Sequence, residues 1–276
     1  MVNIEDGDWT GRDRRGNNGD IMDKGKVIIT GASSGIGAAI ANRMAEAGYE
    51  VYGIGRDFEK ADNYEKSPEW KQSCDEGLAE GKPEAEAAEN FHKIRLNLLD
   101  TEALKRTISG INRDEDVFIL VNNAGIGCYG LHEQLTTEDI QDMVRTNLEV
   151  PMVLSNLLVK TLKKNRGFII NISSHTATQA NPHGCAYGAT KAALSSFSRS
   201  LFEEERKYGL KVVTIEPDMT DTNLYRNSNF GVDEDAMAYL KPEEVAEEVM
   251  HVISMRDGCV VTNIAMRPQI NRIGRK

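Results

Sequence analysis

The chain of 276 residues lacks any apolar run long enough to cross a bilayer, which takes roughly 18 or more consecutive apolar residues. It also lacks an apolar segment behind its first residues. MVNIEDGDWTGRDRRGNNGD is polar throughout and does not read as a secretory leader. Cysteine is scarce and scattered. Cys74, Cys128, Cys185 and Cys259 form no C-x-x-C pair, so neither a zinc site nor a dithiol redox motif is signalled. The five histidines form no H-x-x-x-H or H-E-x-x-H pair, which argues against a metal. There is no surplus of positive charge. A net charge of −10 opposes a nucleic-acid surface and suits a soluble cytoplasmic protein without nucleic-acid or membrane partners. No internal repeat is visible.

What the chain does have is apolar content, 40% of its residues, and a regular alternation of short apolar runs with helical periodicity. Val27-Ile28-Ile29 is a buried strand bounded by glycines, and Ser34 to Ala47 a helix with Ile36, Ile40 and Met44 on one face, stopped by Gly48. Val51 to Ile54 is a second strand. His92 to Leu98, Val117 to Val121, Phe168 to Ile172, Val212 to Ile215 and Cys259 to Thr262 supply further strands. Between them lie helices at Thr101 to Ile111, Thr137 to Lys164 (bent near Pro151), Tyr187 to Tyr208, and Pro242 to Ser254. Parallel strands need crossover helices, so this alternation predicts an α/β fold, a single-domain, doubly wound parallel sheet of Rossmann-like type over 24–276. Two segments stand apart. Residues 1–23 form a polar arm, either a plain tail or an arm anchored on a neighbouring subunit through Trp9. Residues 57–90 are charged and poor in aliphatics, and read as a surface insertion.

The first strand-to-helix turn reads Thr30-Gly31-Ala32-Ser33-Ser34-Gly35-Ile36-Gly37. Glycines let the backbone approach a pyrophosphate, and the helix N-terminus offers N–H donors and a positive dipole end. The spacing is G-x-x-x-G-x-G, set between a strand and a helix, which is the context such a loop requires. Further along come Asn122-Asn123-Ala124-Gly125 at a strand end, Asn171-Ile172-Ser173-Ser174 at another, and Tyr187-Gly188-Ala189-Thr190-Lys191 at the start of a helix. A Tyr and a Lys four apart share one helix face. An ammonium there favours the phenolate and makes the phenol a usable acid–base group.

Taken together and in this order, these motifs resemble those of the classical short-chain dehydrogenase/reductase family from residue 25 to about 262. The resemblance implies a sheet of strand order 3-2-1-4-5-6-7 and hydride transfer between a nicotinamide cofactor and a carbonyl/alcohol pair of a small molecule. It implies that Tyr187 exchanges the proton, that Ser174 holds the substrate oxygen (Ser173 being the competing candidate) and that Lys191 supports the phenol and the ribose. Asn147 would bend the middle helix and hold a water beside Lys191. Gly31, Ser33, Ser34, Gly35, Ile36 and Gly37 would bind the pyrophosphate side. Asn123, Ala124 and Gly125 would line the adenine-ribose side, Asn97 and Leu98 the adenine, and Pro217, Thr220 and Thr222 the carboxamide. Asp218 stands where the family has glycine, which puts the local backbone path in question. The end of the second strand reads Gly55-Arg56-Asp57, with glycine at the usual acidic position and a base after it. That favours NADP(H), while Asp57 keeps NAD(H) open.

The stretch 223–240 carries Leu224, Tyr225, Phe230, Met237, Tyr239 and Leu240 and is expected to be an apolar lid over a bulky substrate. His175, Gln179, His183 and Cys128 are further candidates for that pocket. The polar arm and this lid together resemble bacterial hydroxysteroid dehydrogenases, the 20β type among them. The family also implies a homo-oligomer, a dimer or a tetramer. A non-catalytic dinucleotide sensor of the same fold would be marked by loss of the Tyr or the Lys, and both are present.

Overall fold

The computed structural model describes residues 24–58, 89–226 and 228–275. The expectations for residues 1–23 and for most of 57–90 lie outside these. One sheet organises the rest. Its seven strands are β1 (Lys26–Thr30), β2 (Glu50–Gly55), β3 (Phe91–Arg95), β4 (Val117–Asn122), β5 (Phe168–Ile172), β6 (Lys211–Pro217) and β7 (Asn263–Met266). They are all parallel and lie in the order β3-β2-β1-β4-β5-β6-β7. The helices are α1 (Gly35–Glu46), α2 (Thr101–Ile111), α3 (Thr137–Val144), α4 (Val150–Lys164), α5 (Cys185–Glu205) and α6 (Pro242–Ser254).

Period-two alternation divides each strand between two cores. Val27 and Ile29 of β1 join Val121, Ile170 and Val213 against Ile40 and Met44 of α1 and Val245 and Val249 of α6. Ile28 points the other way and joins Leu120, Ile169 and Val212 against Leu104 and Ile108 of α2 and Leu154 and Leu158 of α4. Both faces of the sheet are thus covered, which is why its central strands read as continuous apolar runs. The sheet carries the site at its C-terminal edge, where β1, β4, β5 and β6 all end.

Two elements differ from the sequence reading. The last strand is Asn263–Met266, four residues beyond the expected Cys259–Thr262. The Cys259 N–H instead closes a turn on the Arg256 carbonyl, and pairing with β6 starts only at Thr262, whose carbonyl accepts from Thr214. This edge strand alternates exposed and half-buried residues, so its apolar run is no guide to its register. The expected bend at Pro151 is a π-helical turn, Arg145–Glu149, inserted between α3 and α4. The chain end folds back as well. Gly274–Arg275 pairs antiparallel with Phe230–Gly231 inside the expected lid. Among the described residues, no helix is long and apolar enough to cross a membrane.

Candidate active site

The glycine loop is shaped by positions that a side chain would spoil. Gly31 and Gly35 have φ of +69° and +56°, in the left-handed region. At Gly37 an added Cβ would lie 2.2 Å from the Gly31 carbonyl oxygen and 2.3 Å from Asn123 Nδ2. Ser34 is the N-cap of α1. Its side chain makes no capping bond and the first turn carries no acidic residue. The first-turn N–H groups are therefore left to an anion. This backbone cradle fits a pyrophosphate, and Thr222 closes it from the far side, with its methyl group 3.0 Å from where a Cβ on Gly35 would stand.

Asn123 holds the loop from β4. Its amide donates to the carbonyls of Thr30 (2.9 Å) and Gly31 (3.2 Å), while the N–H groups of Asn123 and Ala124 both donate to Thr30 Oγ1 at 3.1 Å. Its side chain thus supports the loop. Gly125 brings the backbone close to the catalytic side, where its Cβ would stand 3.4 Å from both Asn147 Oδ1 and Lys191 Nζ. Arg56 is exposed at the end of β2. The side chain of Asn97 is occupied locally, accepting from Leu99 N at 3.1 Å, and Leu98 packs against the α2 core.

Tyr187 and Lys191 lie one turn apart on α5, with Lys191 Nζ 5.8 Å from the phenol ring centroid and donating to the Ile172 carbonyl at 2.9 Å. Both are buried. Burial holds the Tyr187 phenol up at about 12, partly offset by a hydrogen bond with the Ser174 hydroxyl. Burial also pushes the Lys191 ammonium down to about 8. Ser174 caps the short turn His175–Ala177, and its oxygen accepts from Thr176 N (3.2 Å) and Thr176 Oγ1 (3.0 Å). Ser173 faces the opposite way, donating to the Lys191 carbonyl at 3.0 Å, 2.8 Å from Ser195 Oγ. Of the two serines, Ser174 is the one that meets the phenol.

Asn147 sits at the centre of the π-turn and is fully buried. Its side chain accepts from Ile126 N and donates to Ile126 O, both at 2.9 Å, and donates to Thr190 Oγ1 at 3.1 Å. With its side chain so engaged, what Asn147 can offer a water is its carbonyl. Pro151, four residues on, has no N–H to give that carbonyl an α-helical bond.

Past β6, Asp218 avoids the left-handed region. Its carboxylate accepts from Met219 N at 2.9 Å and pairs with Arg267 at 3.3 Å, so a side chain is accommodated where glycine was expected. Thr220 is buried and donates to the Asp218 carbonyl at 2.9 Å; Thr222 caps the turn Asn223–Tyr225.

Against the Tyr187 ring packs Tyr129, which in turn carries Tyr225 and Phe230. Tyr129 is 5.7 Å from Tyr187 between centroids, 5.9 Å from Tyr225 and 5.1 Å from Phe230; Tyr225 and Phe230 are 5.5 Å apart. Tyr129 was missed by sequence reasoning. Its one signal is its place four residues after the N-N-A-G run. The other pocket candidates have these surroundings. Gln179 lines a cleft of about 460 Å³ along Cys185, Gly188 and Ala192, a different face of α5. The Cys128 thiol donates to Asp139, and burial raises it. His183 takes a left-handed φ of +64° and its carbonyl accepts from Gly130 N at 2.7 Å. The His175 carbonyl accepts from Thr178 N at 3.2 Å.

Residues 25–232 match the profile of the short chain dehydrogenase family. The chain is 34% identical over 202 residues to serine 3-dehydrogenase of Rhizobium radiobacter, covering 72% of this chain and 74% of that one. It is 31% identical over 244 residues to 3-oxoacyl-(acyl-carrier-protein) reductase of Vibrio harveyi, covering 84% and 91%. An alcohol dehydrogenase of the archaeon Thermococcus sibiricus, solved with 5-hydroxy-NADP, superposes with a TM-score of 0.74 at 23% identity, covering 90% of this chain and 97% of that one; at that identity the likeness concerns the fold.

Proposed function

The chain belongs to the short chain dehydrogenase family and is an NAD(P)-dependent oxidoreductase; from that premise we propose that it interconverts a bulky apolar ketone and its secondary alcohol, with NADP(H) preferred. The observation that carries the chemistry is the buried Tyr187 phenol, drawn down from its burial-raised value by the Ser174 hydroxyl, with Lys191 one turn away.

Bound in the cradle of Gly31, Ser33, Ser34, Gly35, Ile36 and Gly37, with Thr220 and Thr222 at its other end, the nicotinamide cofactor would supply or accept the hydride. This chain's own groups handle the oxygen. Ser174 and Tyr187 donate hydrogen bonds to the substrate oxygen as charge develops on it, and Tyr187 hands over the proton in reduction or takes it in oxidation. Lys191, and a water that the Asn147 carbonyl would hold, then pass the proton toward solvent.

The preference for NADP(H) is supported by sterics at Gly55. A Cβ there would stand 2.9 Å from Ser33 Cβ and 3.1 Å from the Phe58 ring, so the acidic side chain that would bind a ribose 2′-hydroxyl has no room, while the exposed Arg56 beside it would meet a 2′-phosphate. Support for an apolar substrate comes from Tyr129, Tyr225 and Phe230 above the phenol. A steroid ketone, of the kind 20β-hydroxysteroid dehydrogenases take, has the flat apolar face such rings stack on. Residues 223–240 act as the lid, opening to admit it. A second reading, a smaller ketone or hydroxy acid, is favoured by the identity to serine 3-dehydrogenase. A cytoplasmic homo-oligomer, dimer or tetramer, is the assembly we favour; Val144 and Met152, exposed apolar residues on α3 and α4, are its support.

The test is nicotinamide absorbance with NADPH and with NADH over a panel of steroid ketones, 3-oxo esters and, in the oxidative direction, serine. Turnover of steroid ketones with NADPH is expected. Turnover confined to serine or small 3-oxo esters would replace the bulky-substrate reading.

A further inference from the structure

Glu216 is 4% exposed, on β6 one residue before the Pro217 turn, and the proton path does not use it. Its Oε1 accepts from Ser195 Oγ at 2.8 Å. Ser195 Oγ is 2.8 Å from Ser173 Oγ, which donates to the Lys191 carbonyl at 3.0 Å. Ser195 lies one turn past Lys191 on α5, and Ser173 immediately precedes Ser174 at the end of β5. One chain of buried polar groups therefore links the three elements that carry the site: β6 with the Pro217–Thr222 turn, α5 with Tyr187 and Lys191, and β5 with Ser174.

The donors in this chain are limited, which gives it a direction. A hydroxyl has one proton. Ser195 spends its proton on Glu216, so the contact between the two serines must be donated by Ser173. The Ser173 proton is then held between Ser195 Oγ and the Lys191 carbonyl. Without the acceptor at 216, Ser195 is free to turn its proton to Ser173, and the tie between β5 and α5 changes direction. Burial makes each of these bonds costly to leave unmade.

We propose that Glu216 is a positioning residue, which through Ser195 and Ser173 sets Ser174 and the Tyr187–Lys191 turn of α5 in register with the turn after β6. This rests on the reading of Tyr187 and Ser174 as the proton-transfer pair, but its structural arm does not depend on turnover. Glu216→Leu removes the acceptor at similar size, Glu216→Gln keeps an oxygen for Ser195, and Ser195→Ala removes the link with little change in packing.

The experiment measures each variant in two ways: steady-state reduction of ethyl acetoacetate by NADPH, and amide hydrogen exchange of the protein without ligand. Displacement of the catalytic groups should cost Glu216→Leu and Ser195→Ala roughly ten- to a hundred-fold in kcat with KM for NADPH little changed. Glu216→Gln should recover most of the loss, and the Leu/Ala double variant should lose no more than either single one. Exchange should rise at residues 173–176 and 187–195 in Glu216→Leu and Ser195→Ala and stay near wild type in Glu216→Gln. Variants that melt earlier but keep kcat, and whose exchange at residues 173–176 and 187–195 stays at the wild-type level, would make Glu216 a plain core residue and overturn the proposal. If the wild type does not reduce this ester, the ester is not a substrate, and the exchange pattern alone decides for or against Glu216.

Discussion

Asn147 Nδ2 and Thr190 Oγ1 are hydrogen-bonded at 3.1 Å, and Thr190 Oγ1 in turn donates to the Tyr187 carbonyl at 2.7 Å. The π-turn is thereby fixed to the helix that carries the phenol. Asn147→Ala leaves the N–H and C=O of the half-buried Ile126 without their side-chain partners. It should destabilise the protein by about 2–4 kcal/mol in urea melts. Thr190→Val, which keeps those two bonds, should cost about 1 kcal/mol. Equal costs for the two would show that Ile126 finds other partners.

The Tyr187 phenol, held at about 12 by burial and drawn down by Ser174, should titrate higher once that hydrogen bond is gone. The direction follows because the bond favours the phenolate. Ultraviolet titration of the protein without cofactor, with Tyr187→Phe subtracted, isolates this phenol among the others. In Ser174→Ala its transition should move upward. A downward move would mean that the Ser174 bond favours the neutral phenol.

Lys191 is buried and loses its proton at about 8 in the folded protein, against an ordinary value of 10.5 when unfolded. Between these values the unfolded chain binds more protons, so stability rises with pH through that window. Below it, the folded protein carries the full cost of a buried ammonium, on the order of 3 kcal/mol. Lys191→Met should therefore lose activity yet be more stable than wild type at pH 7. The advantage should shrink between pH 8 and 10.5 and be measurable by chemical denaturation at both ends. A variant less stable at pH 7 would mean that the hydrogen bond to Ile172 outweighs the charge burial.

At the end of β2, Gly55 and Ser33 are too close for any side chain at 55. Gly55→Asp should be destabilising, and Ser33→Gly should relieve it. Arg56→Asp, exposed, should fold normally and lower kcat/KM for NADPH far more than for NADH, by about 1–3 kcal/mol of transition-state binding if a charged hydrogen bond to phosphate is lost. Equal loss with both cofactors would remove Arg56 from cofactor choice.

How far such residues could be read in advance varied with the physics that places them. The helices Thr101–Ile111 and Pro242–Ser254 were legible at both ends because local chemistry sets their starts. Asp100 accepts from Ala103 N, and Pro242 with Glu243 and Glu244 occupies a first turn. The central strands were legible because both their faces are buried. The edge strand Asn263–Met266 was displaced in the reading because one side of it meets solvent. Ser174 was preferred to neighbouring Ser173 only through the family resemblance, because alternation puts them on opposite faces without saying which is which. Tyr129 was invisible since its partners, Tyr187, Tyr225 and Phe230, are distant in sequence, and only the folded chain collects them.

The aromatic cluster is held down by the chain end. Phe230 and Gly231 pair with Arg275 and Gly274, Arg272 bridges Asp233 at 3.1 Å and Asp235 at 2.8 Å, and Ile270 N donates to the Met237 carbonyl at 2.9 Å. The ion pairs are exposed at Arg272 and worth little singly. The ladder is the stronger tie, and it depends on glycine, since a Cβ on Gly274 would lie 2.3 Å from the Val232 carbonyl oxygen. Gly274→Val should part the ladder and free Phe230 and Tyr225 from Tyr129, the ring that packs on Tyr187. If residues 223–240 are a lid whose opening limits turnover, kcat for a good substrate should rise a few-fold while its KM also rises, because the rings no longer pack a bound substrate. Arg272→Ala should move both constants the same way by less. A fall in kcat with unchanged KM would show that the closed arrangement of these rings is needed for the chemical step itself.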